Sequence, residues 1–203
     1  MAVRRWPGRF GSVAIMVSVG LLVAVAAAGQ EVFLRQPETL QEAERMMFGK
    51  PEDIGFAQNL WRALEAERFV GPDPRPGTPR EGVPPHGTWL EVFFSEATIS
   101  GQTGALIVKR DYGPEKPSMA ELTAQPGDYL DRITVMFRRA PGWDPAVQDW
   151  FWAQYTPQGT LTETASGTPK AGAVGKNLNT GCAACHIAAA GNDFVFTGTY
   201  PRR

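Results

Sequence analysis

Apolar residues recur first at helical and then at strand spacing along this chain. Leu40, Ala43, Met46 and Met47 stand three or four residues apart, which predicts an amphipathic helix opened by Pro37-Glu38-Thr39. Gly49-Lys50-Pro51 interrupts it. A second helix is predicted through Phe56, Leu60, Trp61 and Leu64, with charges on its opposite face. The methionines of the first helix read as flexible core filler rather than as metal ligands.

From Gly71 to Gly87 the pattern dissolves. Six prolines crowd this connector, which reads as too broken for helix or sheet. His86 closes it in Pro84-Pro85-His86-Gly87. A lone loop histidine is usually solvated; a second metal ligand is the minor reading.

Strand patterns follow. Trp89–Phe94 and Gly104–Lys109 are rich in aromatic and β-branched residues, and Ile133–Phe137 alternates. Asp149–Tyr155 is a fourth candidate. Glycine and proline punctuate these segments at Gly101, Gly113-Pro114, Pro126-Gly127 and Pro141-Gly142. Spacers this short favour antiparallel pairing, because parallel strands need long crossovers. The expected fold is α+β, with N-terminal helices packed on a curved antiparallel sheet. Between Gly159 and Thr180 the chain turns small and polar, and reads as a loop delivering the C-terminal segment.

The first 28 residues stand apart from this pattern. Arg4, Arg5 and Arg9 precede an almost wholly apolar run from Phe10 to Ala28, which ends in Ala26-Ala27-Ala28. That is the build of a cleaved export signal, and it leaves residues 29–203 as one expected domain. An uncleaved anchor is the alternative, since about 17 to 25 apolar residues cross a bilayer. Either way the body of the protein is expected outside the cytoplasm, in a periplasm. Removing the signal takes away three arginines and no acid, so the net charge falls below the −1 of the whole chain. Such a chain lacks the basic face of a nucleic-acid binder. Two cysteines three positions apart do not make a disulfide scaffold.

Those cysteines carry the chemistry. In Cys182-Ala183-Ala184-Cys185-His186 two thiols can add across the two vinyl groups of one haem, because the spacing sets both within a helical turn. The histidine that follows then lies under the iron as proximal ligand. A thioredoxin-like redox pair would need a βαβ context that is missing here. A zinc site would need a fourth ligand, for which only His86 or a carboxylate is on offer. The pattern therefore predicts one covalently attached c-type haem, with iron on His186. No methionine follows His186, and the nearest upstream are Met119 and Met136. Met136 alternates with Ile133, Val135 and Phe137, so it faces the other side of its strand. The iron is expected to be five-coordinate, with an open face for a small ligand.

Gly181–His186, followed by Asn192-Asp193-Phe194-Val195-Phe196-Thr197 and Tyr200-Pro201, resembles the C-terminal end of cytochrome P460. These are periplasmic haem proteins of ammonia and methane oxidisers, and cytochromes c′-beta share their fold. Thr103–Lys109 resembles the family's Gly-x-x-x-x-Lys strand, and Asp149–Trp152 its Trp-containing strand. The likeness covers about the second half of the mature chain; the helical first half and the connector have no counterpart in it.

The resemblance implies a sheet-based haem pocket. It also implies that Lys109 is linked to the porphyrin, and that the chemistry is oxidation of hydroxylamine with nitric oxide and nitrous oxide among the products. A soluble cytochrome would take the electrons, and a homodimer is expected. On the residues alone, Lys109 shares a strand face with Ala105 and Ile107, and a strand-terminal lysine can also extend to water. Two departures stand out. Arg110 occupies a position where the family more usually has an acid, and Tyr129–Phe137 offers no glutamate to take up protons. A distal wall built instead from Phe93, Phe94, Trp150 or Phe151 would favour a neutral diatomic gas. Non-catalytic nitric oxide binding, as in cytochromes c′-beta, and plain electron transfer are the competing functions.

Overall fold

Two short helices lead into a six-stranded antiparallel sheet in the computed structural model, which describes residues 37–174, 181–190 and 193–196. The expected export segment, residues 1–28, lies outside the described residues. Among the described residues no helix is long and apolar enough to cross a membrane.

Helix α1 spans Leu40–Met47, and Thr39 caps it by accepting the Glu42 N–H at 3.1 Å. Its buried Glu44 accepts hydrogen bonds from the hydroxyls of Thr164 (2.8 Å) and Ser166, which ties the helix to a distant turn. Met46 is 58% exposed, so it is not the core filler expected of it, whereas Met47 packs beneath the sheet. Helix α2, Pro51–Ala66, starts on a proline whose missing N–H costs a first turn nothing. Phe56, Leu60 and Leu64 recur every four residues and form its buried stripe.

The strands run β1 Arg80–Glu81, β2 Trp89–Ile99, β3 Gln102–Tyr112, β4 Leu130–Arg138, β5 Trp150–Tyr155 and β6 Ala171–Gly172, each paired with its sequence neighbour. Ser100 and Gly101, both with positive φ, close the β2–β3 hairpin in the conformation that matches strand twist. Among the described residues three further short α-helices follow: α3 Met119–Ala124, α4 Pro126–Tyr129 and α5 Cys182–His186. A capping box between Ser118 and Glu121 starts α3.

Alternation splits the sheet into two apolar faces. Leu106, Val108, Ile133, Val135, Phe137, Phe151, Ala153 and Tyr155 pack against α2. The Tyr155 hydroxyl donates to the Ala57 carbonyl at 2.8 Å, pinning helix to sheet. Ile107, Met136, Trp150 and Trp152 face the opposite way, towards Val174, Ala183, Phe194 and Val195. This second face receives the cysteine segment.

The architecture is thus the expected α+β arrangement of N-terminal helices on an antiparallel sheet. Two expected loops need correction. The connector contributes β1, because Arg80 and Glu81 fall in a proline-free gap and pair with Leu90 and Trp89. The stretch from Gly159 contributes β6, a two-residue strand that pairs with Trp152 and Ala153. Strands of two residues carry no periodicity to read.

Candidate haem pocket

Helix α5 begins at Gly181, whose φ of +118° is open to glycine alone, and the Ala183 N–H donates to the Val174 carbonyl at 3.2 Å. The helical turn buries Ala183 and His186, while Cys182 is half-buried, Cys185 is exposed, and neither is in a disulfide.

His186 is held from behind. Its Nδ1 lies 2.7 Å from the Phe194 carbonyl oxygen, an acceptor, so Nδ1 carries the proton and Nε2 the free lone pair. Residues 193–196 are themselves anchored: the Trp150 indole N–H donates to the Asp193 carbonyl at 2.7 Å, and the Val195 N–H donates to the Asp193 carboxylate. Burial pushes the imidazole pKa down to about 4, against the upward pull of the Phe194 bond and with help from Lys109 and His86. The ring is therefore neutral near pH 7, the form that binds metals.

In front of His186 lies a cavity of about 450 Å³. Its walls are apolar, from Leu90, Val92, Ile107, Met136 and Val195, and Arg80, Glu81, His86 and Lys109 add polar groups. Lys109 stands on the cavity side of β3, between Ile107 and Asp111, with Val92 beside it on β2 and Thr134 on β4. Burial holds its ammonium below the ordinary lysine range, against the nearby Asp111 carboxylate and Cys182. A smaller cavity bounded by Lys109, Cys182, His86 and His186 joins the same groups. Burial also pushes the Cys182 thiol up to about 11, although Lys109 and Lys170 pull the other way.

Several sequence expectations need revision here. None of Phe93, Phe94, Trp150 and Phe151 lines this cavity. Phe93 and Phe151 point towards α2, and Phe94 and Trp150 pack in the cluster behind it. Met136 does oppose Ile133, Val135 and Phe137, and that opposite side is the cavity wall. Arg110 faces away from the cavity, where its guanidinium bonds Glu91 at 2.7 Å and the Arg75 carbonyl at 2.8 Å. The substitution of a base for an acid therefore brings no charge to the pocket.

Two further residues, Asp111 and His86, stand beside Lys109 and His186. Asp111 is fully buried on the cavity side of β3 and accepts the Thr134 hydroxyl at 2.7 Å. It lies two residues beyond Lys109 on the same strand face, where the strand period alone could have pointed to it. His86 is not a solvated loop residue. Its side chain is 23% exposed, its Nδ1 lies 3.7 Å from Asp111 Oδ1, and its ring centre is 6.1 Å from that of His186.

The donor set fits a haem. One neutral imidazole presents a free lone pair to an apolar cavity, and two unpaired thiols stand on the same helical turn. It does not fit zinc, since among the described residues no three His, Cys, Asp or Glu side chains gather to hold a metal ion.

The family model for cytochrome P460 matches residues 94–197, just over half of the chain. The chain belongs to the cytochrome P460 family. This is a haem-binding family, and the matched stretch contains Lys109, Asp111, Met136, Cys182, Cys185 and His186. His86 and both N-terminal helices lie before it. No curated protein and no solved structure matches the chain.

Proposed function

We propose that this cytochrome P460 family member is an exported mono-haem c-type cytochrome that binds or oxidises small nitrogen species such as hydroxylamine and nitric oxide. The observation that carries this reading is the meeting of Cys185, His186 and Lys109 at one largely apolar cavity, with Cys182 at a smaller cavity that shares His186 and Lys109 with it. Cys182 and Cys185 would hold the haem by thioether bonds, and the Nε2 of His186 would ligate its iron. When bound, the haem supplies a redox-active iron at which nitrogen species are held or oxidised.

The chain's own residues do the rest. The Phe194 carbonyl keeps His186 in one tautomer and raises its donor strength. Leu90, Val92, Ile107 and Met136 would give a bound haem an apolar wall. Desolvation leaves the Lys109 amine more readily neutral, and so more nucleophilic towards the porphyrin; a link there would displace a ring hydrogen and need a two-electron oxidant such as a peroxide to take up the two electrons. A soluble cytochrome outside the cytoplasm would accept the electrons.

The apolar wall also favours a second reading, capture of nitric oxide without turnover. Purified holoprotein given hydroxylamine and an electron acceptor separates them. Steady acceptor reduction supports the enzyme, and tight nitric oxide binding without turnover supports the scavenger. Ferrous protein that bound neither nitric oxide nor carbon monoxide would sink both.

A further inference from the structure

Haem attachment through Cys182-Ala183-Ala184-Cys185-His186 uses one imidazole, yet two face the cavity. The rings of His86 and His186 have centres 6.1 Å apart and planes at 88°. A metal–imidazole bond is about 2.0–2.1 Å, and about 1.1 Å more separates that nitrogen from its ring centre, so two imidazoles on opposite faces of one metal stand about 6.3 Å apart. A histidine that instead hydrogen-bonded a ligand already on the iron would need a further bond and a contact of about 2.9 Å, which spreads the centres to roughly 9 Å. The observed spacing matches direct ligation.

The surroundings of His86 are those of a ligand. His186 turns its Nδ1 to the Phe194 carbonyl, and His86 turns its Nδ1 towards Asp111 Oδ1, 3.7 Å away. The other Asp111 oxygen is taken by Thr134, whereas Oδ1 is buried with no hydrogen-bond partner. A buried carboxylate oxygen without a hydrogen bond is costly, and the imidazole N–H beside it is a donor within short reach. Carboxylates in this position orient ligating histidines and strengthen them as donors.

The loop that carries His86 is built, not slack. The Gly82 N–H donates to the Thr88 carbonyl at 2.9 Å, and the His86 N–H donates to the Val83 carbonyl at 3.0 Å. Gly87, at φ +75°, packs so closely on β3 that a Cβ there would stand 2.4 Å from the Tyr112 carbonyl oxygen. The chain is thereby turned so that the side chain of His86 enters the cavity.

We propose that His86, oriented by Asp111, is the second axial ligand of the haem iron, so that the resting iron is six-coordinate and a nitrogen species must displace His86 to bind. The proposal rests on the haem reading and replaces its open iron face with an occupied one.

The test is visible absorption and electron paramagnetic resonance of the ferric holoprotein, matured in a host that attaches c-type haem. The expected wild-type signature is low-spin and six-coordinate. His86→Ala is expected to become high-spin and to bind carbon monoxide, once reduced, at least tenfold faster. Met136→Leu is expected to stay low-spin, which sets aside the nearest methionine. Should His86→Ala fold poorly, His86→Gly with free imidazole in the buffer is the second arm, and return of the low-spin spectrum is expected. A coloured wild-type protein that is high-spin, or a His86→Gly spectrum identical to wild type without imidazole, overturns the proposal and leaves the haem reading standing. A colourless protein overturns both.

Discussion

The Nδ1 of His186 and the carbonyl oxygen of Phe194 lie 2.7 Å apart, and this contact decides which imidazole nitrogen faces the cavity. It joins the cysteine-bearing helical turn to a segment that follows it. The indole of Trp150 holds that segment on β5 through the Asp193 carbonyl. The His186 imidazole is thus oriented by the sheet itself, through two hydrogen bonds in series.

Trp150→Phe removes the second of these bonds and leaves the Asp193 carbonyl unpaired. Loss of about 1–3 kcal/mol of stability is expected, the usual cost of stranding a buried polar group. Denaturant titration measures it. The His186 ring should also become less fixed, broadening the haem bands of the holoprotein.

His186 makes the haem-free protein sensitive to mild acid. Its pKa falls from 6.5 to about 4 on folding. Between these values the unfolded chain binds more protons, so the contribution is complete above about pH 6.5 and fades as pH drops towards 4. A falling denaturant midpoint is expected across that window, with a shallower slope in His186→Asn. Equal slopes in the two proteins would refute the assignment.

Glu44 should act lower on the pH scale. Burial raises its pKa, but hydrogen bonds from Ser166, Thr164 and Thr168 outweigh that and hold the carboxyl below 4.5. The stability it contributes is present above the ordinary carboxylate range and lost as pH falls through the lowered value. Glu44→Ala is expected to cost about 1–3 kcal/mol near pH 7, because it removes the charged acceptor through which Thr164 and Ser166 hold α1. The difference from wild type should shrink in acid, as thermal melts over a pH series would show.

Lys109 is testable by mass. In a protease digest of the holoprotein, the Lys109 peptide is expected to remain joined to the His186 peptide through the porphyrin. The ferrous Soret band should be displaced to the red, and Lys109→Leu should return it to the ordinary c-type position while the haem stays attached. Separate peptides from the wild-type protein would exclude the link.

The two sheet faces should respond independently. Phe56→Ala opens the core between α2 and the sheet, where Phe56 meets Phe137 and Phe151 with ring centres 5.6 Å and 4.8 Å apart. A loss of about 3–5 kcal/mol is expected, with an unchanged haem spectrum in the folded holoprotein. A spectral change as large as that of Lys109→Leu would mean that the faces are coupled.

What the sequence determined by itself was local. Two cysteines and a histidine within one helical turn, apolar residues at four-residue intervals in α2, and alternation along β3 are properties of neighbouring residues, set by the periods of helix and strand. They sufficed for the α+β class and for the cysteine-histidine motif. Tertiary structure decided which side of the sheet became the cavity. Both sides of β4 are buried from Ile133 to Phe137, because helix α2 covers one and the cysteine segment packs near Met136 on the other, so periodicity alone could not say which side holds the cavity. It also decided the place of His86 and Asp111. They lie 25 residues apart in a loop and a strand, and only the pairing of β1, β2 and β3 brings an imidazole to a buried carboxylate, because sheet register acts between strands and leaves no mark on the residues beside it.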